Sequence, residues 1–202
     1  MTMEILLPAD LYSVNIDTVW RRMSKLLVRP KSDLYHFGMI CGRFNRDYVI
    51  LESIFDDPVT GEIHWANLLR DSVMPGHLSR YSGYEITILR PAISGTINEQ
   101  KTKRELAVSR LYALAGAGYD LEGEVIEALK SVARGIPPWD YEQLKHQQGP
   151  KFTCLGIVVQ AWADAGFLII PPGVYPTPSA MEQAVREGRL TVIFQGTYRG
   201  IE

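Results

Sequence analysis

The segment Phe152–Ala165 constrains the fold of this chain more than any other. Its sequence, FTCLGIVVQAWADA, is apolar around most of a helix, and Gly166 ends it. A helix of that composition has to be buried against other elements. The segments able to cover it come earlier, because the first half of the chain is rich in strand-type patterns. We therefore predict an α+β fold, with an antiparallel sheet or small barrel packed against this late helix.

The rest of the chain divides into short elements. Apolar spacing over Ile16–Leu27 predicts an amphipathic helix that Pro30 ends. Segments Leu34–Cys41 and Tyr48–Ile54, rich in β-branched and aromatic residues, flank turn residues 42–47 and predict a hairpin. The other predicted elements are a loop or strand at Glu4–Tyr12, a short strand at Glu62–Ala66, a strand at Tyr84–Leu89, a helix at Lys101–Ala115, a helix or partly helical loop at Leu121–Ala133, a loop at 135–150 and a closing strand at Leu190–Gln195.

Composition and length favour a single domain over residues 1–202. Hydrophobic residues make up 46% of the chain and charged residues 22%, which allows a sizeable packed core. The formal net charge is −2 and the basic runs are short, so we expect no nucleic-acid partner. No apolar run approaches the roughly 18 residues of a membrane-spanning helix, so we expect no membrane span. The N-terminal residues lack a signal-peptide pattern, which predicts synthesis in the cytoplasm.

The two cysteines, Cys41 and Cys154, are too few for a disulfide scaffold. Two free thiols are expected, with one disulfide between them as the alternative. Cys154 lies at the start of the apolar helix, where backbone N–H groups and the helix dipole favour a thiolate. The same N–H groups can hold the oxyanion of an acyl-transfer intermediate. The other interpretation is a buried structural cysteine, since free cysteine packs like a small hydrophobe.

A cysteine nucleophile needs a base, and His36, in the apolar segment LYHFGMI, is the candidate. The other histidines lie in loop-like stretches: His64, His77 and His146. Glu52 is a carboxylate inside the apolar strand VILESI. If the two segments pair, Glu52 can orient His36 as the third member of a triad. The alternatives are a satisfied core histidine and a glutamate that faces solvent.

Other site chemistries have no matching pattern in the sequence. Neither cysteine lies in a metal-ligand spacing such as Cys-x-x-Cys. Gly116-Ala117-Gly118 lacks the residues that would complete a phosphate-binding loop, and no Gly-x-Ser-x-Gly elbow is present. We therefore predict no metal and no cofactor.

The order His, Glu, then Cys on a late helix resembles the circularly permuted NlpC/papain-like cysteine hydrolases, the YiiX-like group. The resemblance covers roughly Pro8 to Val192 and consists of short motifs. The matching segments are Pro8–Leu11 for the family's Gly-Asp-Leu opening, Tyr35–Met39 for Ser-His-Val-Gly-Ile, Val49–Ser53 for the strand ending in a carboxylate, Ile88–Pro91 for the strand closing in Arg-Pro, Gly118–Asp120, Phe152–Val158 for the catalytic helix start, Ala165-Gly166, and Thr177-Pro178 ahead of the last helix.

The resemblance implies a permuted papain-like domain that cleaves an amide bond, in a peptide or a peptidoglycan stem peptide. It implies that Cys154 attacks the carbonyl, His36 takes the thiol proton and Glu52 orients His36. It also implies a substrate cleft, which we expect to be lined by Tyr119, Tyr35 and Thr153. Three positions depart from the family pattern: Leu155 and Tyr35 stand where small residues are usual, and Ala9 replaces a glycine.

Two other functions remain open for the same fold. One is lipid acyl transfer or ester hydrolysis of the lecithin retinol acyltransferase type, which predicts an apolar channel at the cleft. The other is a non-enzymatic papain-like module of a bacteriophage particle or secretion assembly, with the segment Ile170–Pro176 as an exposed docking surface. A phage-encoded protein would then be virion-associated. A large separation of His36 from Cys154 would favour this last function.

Overall fold

The computed structural model describes residues 5–16, 34–54, 57, 59–60, 62, 72–118, 153–174 and 176–200. These residues form a mixed fold of six strands, three α-helices and one 3-10 helix. The strands are β1 (Leu11–Asn15), β2 (His36–Phe44), β3 (Asp47–Ser53), β4 (Val73–His77), β5 (Glu85–Pro91) and β6 (Leu190–Thr197). The helices are α1 (Ile97–Ala113), α2 (Cys154–Asp164) and α3 (Pro178–Arg186), and the 3-10 helix is Leu78–Tyr81.

All six strands belong to one antiparallel sheet, in the order β4-β3-β2-β1-β5-β6. The sheet is open in the part of the chain described, with β4 and β6 at its edges. The α+β class and the antiparallel sheet are therefore confirmed. The alternative of a small barrel is not what these strands form.

The predicted hairpin is confirmed as β2 and β3, which pair antiparallel around a tight turn at Asn45. Strand β4 was not predicted, because its sequence, VMPGH, contains a proline and a glycine that count against a strand. Pro75 is tolerated because β4 is an edge strand and pairs on one side only, with β3.

Helix α1 begins at Ile97, four residues before the predicted start at Lys101. A capping box fixes that start. Glu99 Oε2 accepts the backbone N–H of Thr96 at 2.7 Å, and the Thr96 hydroxyl accepts the N–H of Glu99. The late helix predicted at Phe152–Ala165 corresponds to α2, and its first helical residue is Cys154.

Strand residues alternate between two buried apolar clusters, as the period of two requires. One cluster packs the sheet against the helices; it includes Leu11, Phe37, Met39, Leu51, Leu155 and Trp162. The other lies under the 3-10 helix and includes Tyr12, Ile50, Leu78, Tyr81 and Ile88. Both faces of the central strands are therefore covered, which leaves polar side chains there only where they find partners.

Several predicted elements lie outside the described residues. They are the helix at Ile16–Leu27 after its first residue, the strand at Glu62–Ala66 after its first residue, the segment Leu121–Ala133 and the loop at 135–150. Within the described part of the chain, none of the helices has the length and apolar character needed to cross a bilayer.

Candidate active site

Sheet register brings His36 and Glu52 to the same face. Glu52 on β3 pairs directly with Gly38 on β2, and His36 lies two residues before Gly38, on the same side of the strand. The two side chains are therefore diagonal neighbours across adjacent strands. His36 Nε2 and Glu52 Oε2 are 2.7 Å apart, and both residues are buried. The alternative that Glu52 faces solvent is wrong.

Gly38 leaves the space that allows a third strand to reach Glu52. Tyr12 on β1 pairs with Gly38, so Tyr12, Gly38 and Glu52 form a row across three strands. The Tyr12 hydroxyl passes over Gly38 and donates to Glu52 Oε2 at 2.5 Å. A Cβ atom at Gly38 would lie 2.3 Å from that hydroxyl, so a side chain at this position would block the contact.

The 3-10 helix completes the surroundings of Glu52. The Tyr81 hydroxyl donates to Oε2 at 2.5 Å, and Arg80 Nη1 donates to Oε1 at 2.9 Å. Arg80 also contacts Asp57 Oδ2 through Nη2, at 2.7 Å. Donors from β1, β2 and the 3-10 helix thus converge on one fully buried carboxylate. Short O–H···O distances of this kind are typical of charge-assisted bonds to an ionised acceptor.

Cys154 is the second group that acts on His36. The thiol, through hydrogen bonding and charge, raises the pKa of the imidazole. Because Nε2 faces Glu52, Nδ1 is the ring nitrogen left for the thiol. His36 is therefore coupled to a carboxylate and to a thiol, the groups that a nucleophile, base and orienting acid require.

The electrostatics of the pair favour charged forms despite burial. Burial alone lowers the pKa of His36, but its hydrogen bonds to Cys154 and Glu52, and their charges, raise that pKa from 6.5 to about 10. Burial raises the pKa of Glu52, but the hydrogen bonds and charge of His36, with the two tyrosine hydroxyls, outweigh it and lower the pKa below 4.5. Glu52 is therefore an anion near neutral pH, and His36 holds a proton tightly.

The start of α2 presents Cys154 toward this cluster. Thr153 is the N-cap, and its hydroxyl accepts the N–H of Gly156 at 2.9 Å. As the first helical residue, Cys154 carries one of the N–H groups that have no intrahelical acceptor. Leu155, which could have narrowed the site, is buried in the cluster beneath the helices.

The second cysteine has a different environment. Cys41 lies on β2, half-buried, and its Sγ is 3.7 Å from the carbonyl oxygen of Met39. Burial raises its pKa to about 12, against a smaller lowering by a hydrogen bond to Tyr112. Cys41 therefore stays a thiol near neutral pH. Both cysteines are free, as expected, and the alternative of a disulfide is wrong.

Two motifs matched to the family meet in a second buried cluster. Asp10 is fully buried; its Oδ1 accepts from Arg90 and Arg104 and its Oδ2 from Arg90, at 2.7 to 3.2 Å. Arg104, on α1, also donates to the carbonyl oxygen of Pro8. Ala9, where the family has glycine, has a φ of 67°, a left-handed conformation that glycine adopts more easily.

The residues predicted to bind substrate have separate placements. Tyr35 immediately precedes β2, and its backbone N–H donates to the Ser13 hydroxyl at 3.0 Å. Thr153 caps α2, and Tyr119 lies outside the described residues. Their binding role stays a prediction.

Three residues that bond to Glu52 were not predicted from the sequence: Tyr12, Tyr81 and Arg80. Tyr12 and Tyr81 lie 40 and 29 residues away from Glu52 along the chain. The one available signal was Glu52 itself, because a buried carboxylate requires partners.

The proline-rich segment that was a candidate docking surface borders an apolar groove of about 400 Å³. The groove runs beside α2, between Val159, Ala163 and the segment from Ile170 to Pro176. None of Cys154, His36 and Glu52 lines it. The groove is therefore not the cleft above the candidate nucleophile.

Neither the known protein families nor the curated proteins compared with this chain match its sequence.

Proposed function

We propose that this protein is a cysteine hydrolase that cleaves an amide bond through Cys154, His36 and Glu52. The observation that carries the proposal is that His36 contacts the Glu52 carboxylate at 2.7 Å while the Cys154 thiol raises the pKa of the same imidazole. In a cluster with only a structural role, the hydrogen bonds between the glutamate and its donors would be sufficient, and no thiol would be needed near the imidazole.

The proposed reaction begins with Cys154 as the thiolate and His36 as the imidazolium, which holds the thiol proton on Nδ1. The thiolate attacks the carbonyl carbon, and the C=O electrons move onto the oxygen. The N–H group of Cys154 at the start of α2 helps to hold this oxyanion. The imidazolium then protonates the leaving amine, and a thioester on Cys154 remains. Water, deprotonated by His36, hydrolyses the thioester and regenerates the thiolate.

Glu52 acts on this sequence through His36. Its Oε2 faces Nε2, which fixes the tautomer that leaves Nδ1 for the thiol. Its negative charge stabilises the imidazolium in each step where His36 carries two protons. We propose a peptide or a peptidoglycan stem peptide as substrate and a circularly permuted papain-like fold, both on the resemblance of the motifs.

Selective labelling tests the nucleophile. We expect iodoacetamide to alkylate Cys154 at neutral pH at least about tenfold faster than Cys41, measured by peptide mass spectrometry. The matched variants are Cys154→Ala, which should abolish fast labelling, and Cys41→Ala, which should leave it unchanged. Equal labelling of wild type and Cys154→Ala would sink the proposal.

A second measurement tests the substrate class. The protein is incubated separately with a peptide acyl donor and with a fatty-acyl donor, and an acyl-enzyme on Cys154 is sought by mass. We expect adduct from the peptide donor alone. An adduct from the fatty-acyl donor alone would contradict amide cleavage and support lipid acyl transfer. No adduct from either donor would favour the non-enzymatic module.

A further inference from the structure

The inference concerns the two tyrosine hydroxyls on Glu52, and it rests on the proposed function, in which His36 is the base. Tyr12 and Tyr81 donate to Oε2, the same oxygen that faces His36 Nε2. Both hydroxyls are obligate donors, because an ionised carboxylate can only accept. Burial, together with the charge of Glu52, raises the pKa of both tyrosines well above 10, so neither loses its proton in the working range.

The hydroxyls and the imidazole therefore compete for the charge of one oxygen. Each hydrogen bond to an anion stabilises its charge and lowers its basicity, so the anion attracts the next donor less strongly. Arg80 bonds to Oε1 instead, and its second contact with Asp57 holds the guanidinium in place. Arg80 thus fixes the carboxylate through Oε1, while the two tyrosines share Oε2 with the base.

We propose that Tyr12 and Tyr81 are positioning residues that share the charge of Glu52 Oε2 with His36 and so set how tightly His36 holds its proton. The charged and titratable groups around this pair are Tyr12 from β1, Arg80 and Tyr81 from the 3-10 helix, Asp57 behind Arg80, and Cys154 from α2. A base that held its proton too tightly would not return it to a leaving group. By weakening the interaction of Glu52 with His36, the tyrosines lower the pKa of His36, so that it can both accept a proton and give it back.

The test is the titration of His36 followed by the NMR signal of its ring, assigned by its loss in His36→Gln. The full chain carries Cys154→Ala, which removes the thiol's contribution and brings the midpoint lower. We expect Tyr12→Phe and Tyr81→Phe each to raise the midpoint by roughly half a pH unit or more, because the carboxylate then gives more of its charge to the imidazolium.

Tyr198→Phe is the matched control. Tyr198 is a buried tyrosine whose hydroxyl has no hydrogen-bond partner among the described residues. Its removal should leave the His36 midpoint unchanged. An unchanged or lowered midpoint in both Tyr12→Phe and Tyr81→Phe would overturn the proposal, since a purely structural role would not raise it.

Site-specific 3-fluorotyrosine at position 81 keeps the proposal testable if a phenylalanine variant does not fold. The fluorinated phenol is a stronger hydrogen-bond donor, so the midpoint of His36 should fall. A rise would overturn the proposal. Because none of these titrations needs turnover or a thiol, their failure is distinguishable from failure of the labelling test on Cys154.

Discussion

Asp10, just before β1, and Glu52, on β3, are both carboxylates with no exposed surface, and they have different kinds of partner. Asp10 bonds to two guanidiniums, Arg90 and Arg104, which stay charged at any ordinary pH. Glu52 bonds to one guanidinium, two neutral hydroxyls and one imidazole.

The kind of partner decides whether each carboxylate cluster can take part in acid–base chemistry or only stabilise the fold. Asp10 bonds to two fixed cations, and this cluster ties the segment before β1 to β5 and α1. Glu52 bonds to one fixed cation and to His36, a titratable group. A buried carboxylate that bonds to a titratable group is suited to acid–base work, whereas one whose charged partners are all arginines is suited to structure.

The largest expected effect is on stability, at the Asp10 cluster. Asp10→Ala leaves the buried Arg104 guanidinium without its carboxylate, and breaking a buried pair costs about 3 to 5 kcal/mol of the free energy of unfolding. Denaturant unfolding measures the loss. Under conditions where the variant is folded, the alkylation rate of Cys154 should stay within about twofold of wild type. A large change in that rate would contradict a purely structural role for the Asp10 cluster.

Glu52→Gln is the matched change at the other cluster. The amide keeps the shape and can accept from the tyrosines, but it loses the charge that Arg80 and His36 require. We expect a loss of about 2 to 3 kcal/mol in unfolding free energy, because hydrogen bonds to a charged group are replaced. We also expect Cys154 alkylation at neutral pH to fall by about tenfold or more. Alkylation at the wild-type rate would contradict a role for Glu52.

Gly38→Ala tests the row of residues that gives Tyr12 access to Glu52. The new Cβ would lie 2.3 Å from the Tyr12 hydroxyl, so the ring must move and its bond to Glu52 is lost. We expect about 2 kcal/mol of destabilisation, as for overpacking elsewhere in cores. Chemical denaturation measures it, and Gly42→Ala, where a Cβ would meet nothing within 4 Å, is the control. Equal stability of the two variants would show that the gap at Gly38 is unnecessary.

The pH dependence of stability should carry the signature of the Glu52 cluster. The pKa of His36 is raised from 6.5 to about 10. The contribution of protonated His36 to the free energy of unfolding is therefore complete below pH 6.5 and is lost as the pH rises through about 10. The pKa of Glu52 is lowered from 4.5, so its contribution is present above pH 4.5 and is lost as the pH falls through the folded-state value.

Between pH 6.5 and 10 we therefore expect the unfolding free energy of wild type to fall by about 1.4 kcal/mol per pH unit, the slope for one proton. His36→Gln should remove that slope. Unfolding measured at a series of pH values checks it, and an unchanged slope in His36→Gln would assign the proton to another group.

The smallest effect is expected at Ala9, beside Asp10. Its φ of 67° disfavours a side chain, and glycine relieves that strain at the cost of a buried methyl group. We expect Ala9→Gly to stabilise the protein by about 0.5 kcal/mol, which thermal unfolding can resolve. A loss of stability would mean that packing of the methyl group outweighs the backbone strain.

Local patterns in the sequence determined the kind of elements and most of their places. Alternation and β-branched residues located the β2–β3 hairpin, and the apolar run before Gly166 located α2 with Cys154 at its start. His36 and Glu52 could be singled out as polar residues within apolar strands, because a buried polar group needs a partner. The start of α1 was predicted wrongly, at Lys101, although its capping box, Thr96 and Glu99, is present in the sequence.

Tertiary structure alone decided which side chains meet. Arg104 reaches Asp10 across 94 residues, and Tyr12 reaches Glu52 across 40, because strand order and register place them together. Strand alternation gives the face of each side chain but neither the neighbouring strand nor the residue opposite. The absence of a side chain at Gly38 matters only once Tyr12 and Glu52 flank it. The carboxylate was visible in the sequence, and its partners were decided by the fold.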